Sequence, residues 1–223
     1  IEKASDDFPK WVKHMPQKSK TNLPSNWIMV PFGMLGMWNG GGTPLKSNSD
    51  YWDGPIPWVC PKDMKRLVIS ESIIQITKIA LQETSVKEIP PNSILMVVRG
   101  MILARAFPVA ISGRPLTVNQ DMKALTPQYD ATVSYLLLAL RAKQHDFLNI
   151  VEKSSHGTCK IQTKYLQSQQ IPIPPLPEQH RIINKVDELM ELCDQLKASL
   201  DSAQDTQLKL ADSLVEQTIH SPA

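Results

Sequence analysis

The sequence predicts an α+β chain: a strand-rich, mixed α/β domain followed by a long C-terminal coiled-coil helix. Three observations predict it. Proline outnumbers glycine, 18 to 9 among 223 residues. A helix-only protein would not tolerate that, because proline removes a backbone donor and clashes with the preceding turn. Short β-type apolar runs, separated by Gly, Pro, Asn and Asp clusters, fill the middle of the chain. From residue 182 onward an apolar seam repeats at alternating steps of four and three residues.

Residues 1–22, IEKASDDFPKWVKHMPQKSKTN, are polar and lysine-rich with little periodicity, and read as an N-terminal tail or linker. The domain is expected over residues 23–175. Its strands are the runs WIMVPF (27–32), IPWV (56–59), IIQI (73–76), ILMVV (94–98) and PVAIS (108–112). ATVSYLLLALRAK (131–143) is the internal helix candidate, with Asp130 as its N-cap. No repeat appears at a solenoid period. The longest apolar region, residues 94–111, is interrupted by Arg99 and Arg105, so it is not a membrane span. Cys60, Cys159 and Cys193 are widely spaced, with no metal-ligand spacing. With no secretory signal in view, they read as reduced thiols of a cytoplasmic protein.

The C-terminal arm begins with Pro172, Pro174, Pro175 and Pro177. Each disfavours helix at the residue before it, so the chain approaches extended. Pro177 suits the first helical turn, where its missing N–H costs nothing, and Glu178 sits near the positive end of the helix dipole. The helix is expected over residues 176–219, with a short tail at 220–223. Its seam is Ile182, Val186, Leu189, Cys193, Leu196, Leu200, Ala203, Gln207, Leu210 and Leu214, broken only at Gln207. A period of about 3.5 held this long favours a coiled coil over a helix lying on a globular core. At 1.5 Å per residue the arm is about 60 Å long. Its exposed seam needs a partner helix.

Net charge is +2, but it is unevenly spread. Residues 177–223 hold four basic and nine acidic side chains, a net of −5, which leaves +7 for the preceding 176 residues. A basic body with an acidic arm suggests a polyanion-binding domain tied to an arm with another task.

The glycine-rich stretch NGGGTPLKSNSDYWDGPIPWVCPKDMKR (39–66) has neither the spacing of a phosphate loop nor a dinucleotide fingerprint. It reads as a loop between strands, or as a surface loop that brings Thr43, Lys46 and Ser47 to a phosphate backbone or base edge. Tyr51, Trp52 and Trp58 anchor such a loop in a core more readily than they stack on bases. Further candidate contacts are Lys62, Arg66, Arg99, Arg105, Arg114 and Lys160. Arginine forms bidentate contacts to guanine or phosphate. Asn119 and Gln120, in VNQDM, carry amides suited to adenine edges. SSHGTCKIQ (154–162) places Ser155, His156 and Cys159 in a polar turn, without an orienting group or oxyanion hole. No methyltransferase, nuclease or cofactor-loop signature is legible, so no catalysis is expected of this chain.

Two blocks together resemble the specificity subunit of type I restriction-modification systems: GGTPLKSNSDYWDGPIPWVCPKDM and, far downstream, IPIPPLPEQHRIINKVDELMELCDQL. VNQDMKALTP (118–127) sits where that family often carries a similar Asn-Gln stretch. The resemblance runs from residue 23 to the end of the heptads. It implies a non-catalytic reader of double-stranded DNA whose target-recognition domain binds one half of a two-part site. It also implies docking of methyltransferase (modification) subunits and, through the complex, a restriction subunit. No cofactor is expected on this chain; S-adenosylmethionine and ATP would belong to those partners. A full specificity subunit has two recognition domains and two long antiparallel helices, and this sequence has one of each. It is therefore expected to be a half subunit that forms a homodimer through the helix, or part of a longer chain. A protein–protein scaffold with a coiled-coil arm, and a recognition fragment of a fused restriction-methylation enzyme, stay open as alternatives.

Overall fold

The structure is a computed structural model that describes residues 23–153 and 157–220, with side chains to residue 212. The tail at residues 1–22, the Ser155–His156 turn and residues 221–223 lie outside it. The chain falls into two units, one up to Gln179 and one from His180.

The first unit is built on a five-stranded sheet. Across it run β2 (Gly36–Gly40), β9 (Met122–Pro127), β6 (Ile94–Val97), β7 (Val109–Ser112) and β4 (Val68–Ile69). Neighbours are antiparallel except β7 and β4, which are parallel. The continuous apolar run of β6 follows from its central place. Ile94, Leu95, Met96 and Val97 are all fully buried. The helix α2 (Val133–Ala142) packs on β6 and β7 through a face that buries Tyr135, Leu136 and Leu140.

A second sheet sets β3 (Trp52–Val59) between β5 (Gln75–Ile76) and β8 (Thr117–Val118). β3 runs parallel to β8 and antiparallel to β5. Its core collects Ile56, Trp58, Ile76, Ala80 and Val86, with Tyr51 and Trp52 packed against it. The aromatic residues of the glycine-rich stretch are thus anchors: Trp58 is 6% exposed, and its Nε1 donates to Gly42 O at 2.9 Å. Two small pairs complete the strands. β1 (Ile28–Pro31) pairs with β12 (Gln170–Ile173), and β10 (Glu152–Lys153) with β11 (Cys159–Lys160). β12 tolerates Pro172 because it is an edge strand. Short helices α1 (Lys78–Glu83), α3 (Gln144–Asn149) and α4 (Thr163–Ser168) fill the connections.

Two expectations need correction. Asp130 is not the N-cap of the internal helix. It opens a 3-10 turn, Asp130–Thr132, and α2 starts at Val133 with no side-chain cap. Thr132 instead donates its hydroxyl to Tyr129 O at 2.7 Å. The run 73–76 is strand only at Gln75–Ile76. The Asp63 carboxylate accepts the Ile73 amide at 3.0 Å, which holds that end in a loop and leaves Ile73 74% exposed.

The arm is α5 (Leu176–His220), 45 residues and so about 68 Å long. The proline lead-in leaves carbonyls that need donors. Tyr135 donates its hydroxyl to Pro172 O at 2.8 Å. Fully buried Gln179 donates Nε2 to Pro174 O at 2.9 Å and its backbone amide to Pro175 O at 3.0 Å. Of the seam, Leu189, Cys193, Leu196, Leu200 and Leu210 are exposed, whereas Ile182 and Val186 are half-buried. Leu214 lies beyond the described side chains. Among the described residues, no helix is long and apolar enough to cross a membrane.

Candidate nucleic-acid interface

Strand direction gathers the candidate residues. β2 and β6 finish, and β9, β7 and β4 begin, at one end of the five-stranded sheet. β3 and β8 finish at the same end, because Val59 lies opposite Val118 and β8 turns directly into β9. The loops leaving this end carry Thr43 after β2, Lys62 and Arg66 between β3 and β4, Arg99 and Arg105 between β6 and β7, and Asn119 and Gln120 between β8 and β9. Lys160 joins them through an antiparallel bridge to Arg99. Lys46 rides three residues beyond Thr43 on the same loop. Arg114 is at the other end, in the turn after β7, where the Gly113 amide donates to Ile69 O, and Lys46 leads toward the start of β3, where Leu45 O accepts Trp52 Nε1 at 3.3 Å.

The turn at residues 119–121 is the hub of this end. Asn119 Oδ1 accepts the Asp121 amide at 3.1 Å, and Asn119 Nδ2 donates to Asp121 Oδ2 at 3.3 Å. Asn119 is only 6% exposed. Its amide therefore holds the turn from a largely buried position. Gln120, next to it, is exposed and accepts the Thr43 hydroxyl. The glycine-rich loop lies directly against this turn. Gly41 donates its amide to Met122 O at 3.3 Å, and Gly42 to Val118 O at 3.1 Å. A Cβ at Gly41 would stand 1.7 Å from Asn119 O, so only glycine permits this approach.

Loop 60–73 is organised by Asp63, which sequence reasoning missed. Its Oδ2 accepts the Cys60 amide at 2.8 Å and the Cys60 thiol at 3.1 Å. Burial, reinforced by that carboxylate, pushes the Cys60 thiol up and keeps it a protonated donor. The loop curls round a groove lined by Lys62, Lys65 and Arg66 together with Asp63 and Glu71. Lys123, opposite Gly40 in the β2–β9 register, adds a cation that sequence reasoning also missed. Two further carboxylates pair with cations at this end. Arg99 Nη1 is 3.8 Å from Asp121 Oδ1, and Lys160 Nζ is 3.6 Å from Glu152 Oε2. No cluster of metal-ligating side chains occurs among the described residues. The arrangement is a loop-built end rich in exposed cations and polar side chains, suited to contacting phosphates and base edges.

The family model described as type I restriction modification DNA specificity domain matches residues 24–202. The specificity subunit of the type I restriction enzyme EcoR124I/EcoR124II of Escherichia coli is 38% identical over 169 residues, which is 75% of this chain and 42% of that protein. The MjaIX specificity subunit of Methanocaldococcus jannaschii is 28% identical over 189 residues, 82% of this chain and 43% of that protein. A chain from a solved structure concerned with complex assembly and conformational transition of the type I R-M system shares the fold, with TM-score 0.67 and 20% identity over 97% of this chain and 52% of that one. The HsdS subunit from Thermoanaerobacter tengcongensis does so at TM-score 0.58 and 21% identity, over 88% of this chain and 43% of that one. This chain thus spans about half the length of the relatives it matches.

Proposed function

The chain belongs to the type I restriction-modification DNA specificity family, and we propose that it reads one half of a two-part DNA target as the specificity component of such a complex. The observation that carries this reading is the convergence of Thr43, Lys62, Arg66, Arg99, Arg105, Gln120 and Lys160 on one end of the strands. Seven strand ends of two sheets fix those loops relative to each other. A duplex can therefore meet them as one surface, with lysines on phosphates and arginine or Gln120 on base edges. Asn119 supports the surface without touching DNA, and Arg114 is outside it.

The chain performs no chemistry itself and binds no cofactor. It docks a methyltransferase subunit, which brings S-adenosylmethionine, and through the complex a restriction subunit, which brings ATP. It acts in the cytoplasm, where the DNA is. α5 pairs with a second α5, from another copy or from the rest of a longer chain, and the paired helices set the distance between two reading ends. Half-site spacing on a duplex is then a property of the helix pair.

The test is selection from a random duplex pool, with the protein alone and with a candidate methyltransferase. Two inverted identical halves at fixed spacing are the expected product of a symmetric pair. One short element would mean a single reading end. A chain that enriches nothing, and whose associations do not weaken with salt, would be a scaffold instead, because binding through phosphates must weaken steeply with salt.

A further inference from the structure

Arg99 and Lys160 stand directly opposite each other in an antiparallel bridge. The bonds from the Gly100 amide to Cys159 O and from the Ile161 amide to Val98 O, both 2.9 Å, fix that register. Directly opposed residues project to the same face, and like charges placed so are destabilising. The fold nevertheless puts two cations side by side, and meets each from its far side with a carboxylate, Asp121 for Arg99 and Glu152 for Lys160.

The two members of each pair are not equally held. Asp121 Oδ2 also accepts Asn119 Nδ2, and the Asp121 carbonyl accepts the Val98 and Arg99 amides at 2.8 and 3.1 Å. Glu152 Oε1 accepts Gln162 Nε2, and Glu152 lies opposite Lys160 in the β10–β11 pair. The cationic side chains, by contrast, are 56% and 49% exposed. At 3.8 and 3.6 Å neither cation is within hydrogen-bonding distance of its carboxylate. Anchored carboxylates therefore face loosely held cations in a net-neutral row of four charges.

We propose that Arg99 and Lys160 form a two-cation seat for one DNA phosphate, and that Asp121 and Glu152 are specificity-determining residues that keep the seat shut against ill-fitting duplexes. The inference rests on the DNA-reading function proposed above. A duplex held only by its phosphates must part both ion pairs and lie beside two fixed negative charges, so it gains little at this seat. A duplex already seated by base contacts at the neighbouring Thr43–Gln120 pair has those contacts to offset the parting. The carboxylates thus lower affinity for all DNA while lowering it most for DNA that does not match.

The experiment compares wild type with Asp121→Asn/Glu152→Gln, which keeps side-chain shape and one acceptor oxygen on each residue, free to face Asn119 or Gln162, but removes both charges. Affinities for a random-sequence duplex and for a duplex recovered by selection are measured across a salt series. The variant should bind the random duplex more tightly. Its slope of log K against log salt should steepen by about 0.9, an extra loss of about 3.5-fold between 50 and 200 mM salt. The ratio of selected to random affinity should fall. Adding Arg99→Met/Lys160→Met to the variant should abolish the steepening, whereas the same pair in wild type should leave the random-duplex slope unchanged. Glu152→Gln alone spares the 119–121 turn and should show the Lys160 part of the effect if the double variant unfolds. A salt-dependent wild type with an unchanged slope in these variants would overturn the seat and leave the DNA-reading function standing. A wild type with no salt-dependent DNA binding would overturn both.

Discussion

Replacing Leu196 and Leu200 by aspartate should abolish pairing of the arm without unfolding the first unit. Both side chains are exposed in the single chain, by 57% and 71%. Fully burying a leucine is worth about 1.5–3 kcal/mol, so each has roughly two thirds of that still to gain. A symmetric pair contains each residue twice, which gives about 4–8 kcal/mol of association from these two levels. That corresponds to about three to six powers of ten in Kd. Aspartate adds the desolvation of a charge at the interface, so the loss is at least this large. The assay is molar mass by sedimentation equilibrium over a concentration series, with thermal unfolding to follow the first unit. Leu208 is equally exposed, at 59%, but lies beside the seam, and Leu208→Asp should leave the mass unchanged. A mass insensitive to the Leu196/Leu200 change would refute self-pairing through this seam.

Gly41→Ala should lower the denaturant midpoint by the equivalent of about 1–3 kcal/mol, because the new Cβ meets the Asn119 backbone at 1.7 and 2.4 Å, atoms that cannot rotate away. Gly40→Ala, which meets only the tip of Lys123 at 3.8 Å, is the matched control and should unfold like wild type. Asn119→Ala should cost about 1–3 kcal/mol of stability, since it leaves a buried turn without its bonds. Gln120→Ala should leave the melting temperature alone and weaken binding to the selected duplex more than to random DNA, by competition titration. Gln179→Ala should cost about 1–3 kcal/mol in urea unfolding by orphaning Pro174 O.

What could be read from the sequence divides along physical lines. β1, β6, β7 and the second half of β3 were legible because their burial is written as apolar, β-branched runs. β2 (GMWNG) and β9 (MKALTP) were not, because their glycines, lysine and proline carry weak strand signals. They are strands through pairing with each other and with β6, a tertiary fact. The run 73–76 failed for the opposite reason, since an apolar pattern was overridden by a single carboxylate ten residues away. α5 was legible as a long C-terminal helix, because a sustained 3–4 apolar spacing and a proline block are local signals. The site shows the same split. Exposed arginines and lysines could be named as residue types, but not sorted. Strand direction places Arg114 apart from the rest, and Asn119 differs from Gln120 only by which amide the turn consumes. Asp63, Asp121 and Glu152 gave no signal, since a carboxylate that orders a cationic loop looks in sequence like any solvated charge.

The connectivity also separates the loops that bear the candidate contacts from the strands that lead into α5. β1 feeds the start of β2 through a 3-10 turn, Phe32–Met34, at the end of the sheet opposite the cationic loops. β12, the partner of β1, is held by Tyr135 in the first turns of α2, which follow the finish of β9 at that same far end. The β1–β12 pair is therefore tied to the end of the sheet that does not carry the candidate contacts. Changes in the loops bearing Thr43, Lys62, Arg99 and Gln120 would leave the β1–β12 pair, the proline lead-in and the Gln179 bonds untouched. Under the proposed function, a new DNA sequence could then be read without altering the residues that lead into α5. Conversely, packing changes at Tyr135 or Gln179 would act on the Pro172 and Pro174 carbonyls that lead into α5 while sparing the loops that bear the candidate contacts. If selection on a loop variant returned a new half-site at the old spacing, and on Gln179→Ala the old half-site with relaxed spacing, the two functions would be physically separate in the fold. A loop variant that altered spacing would contradict this division.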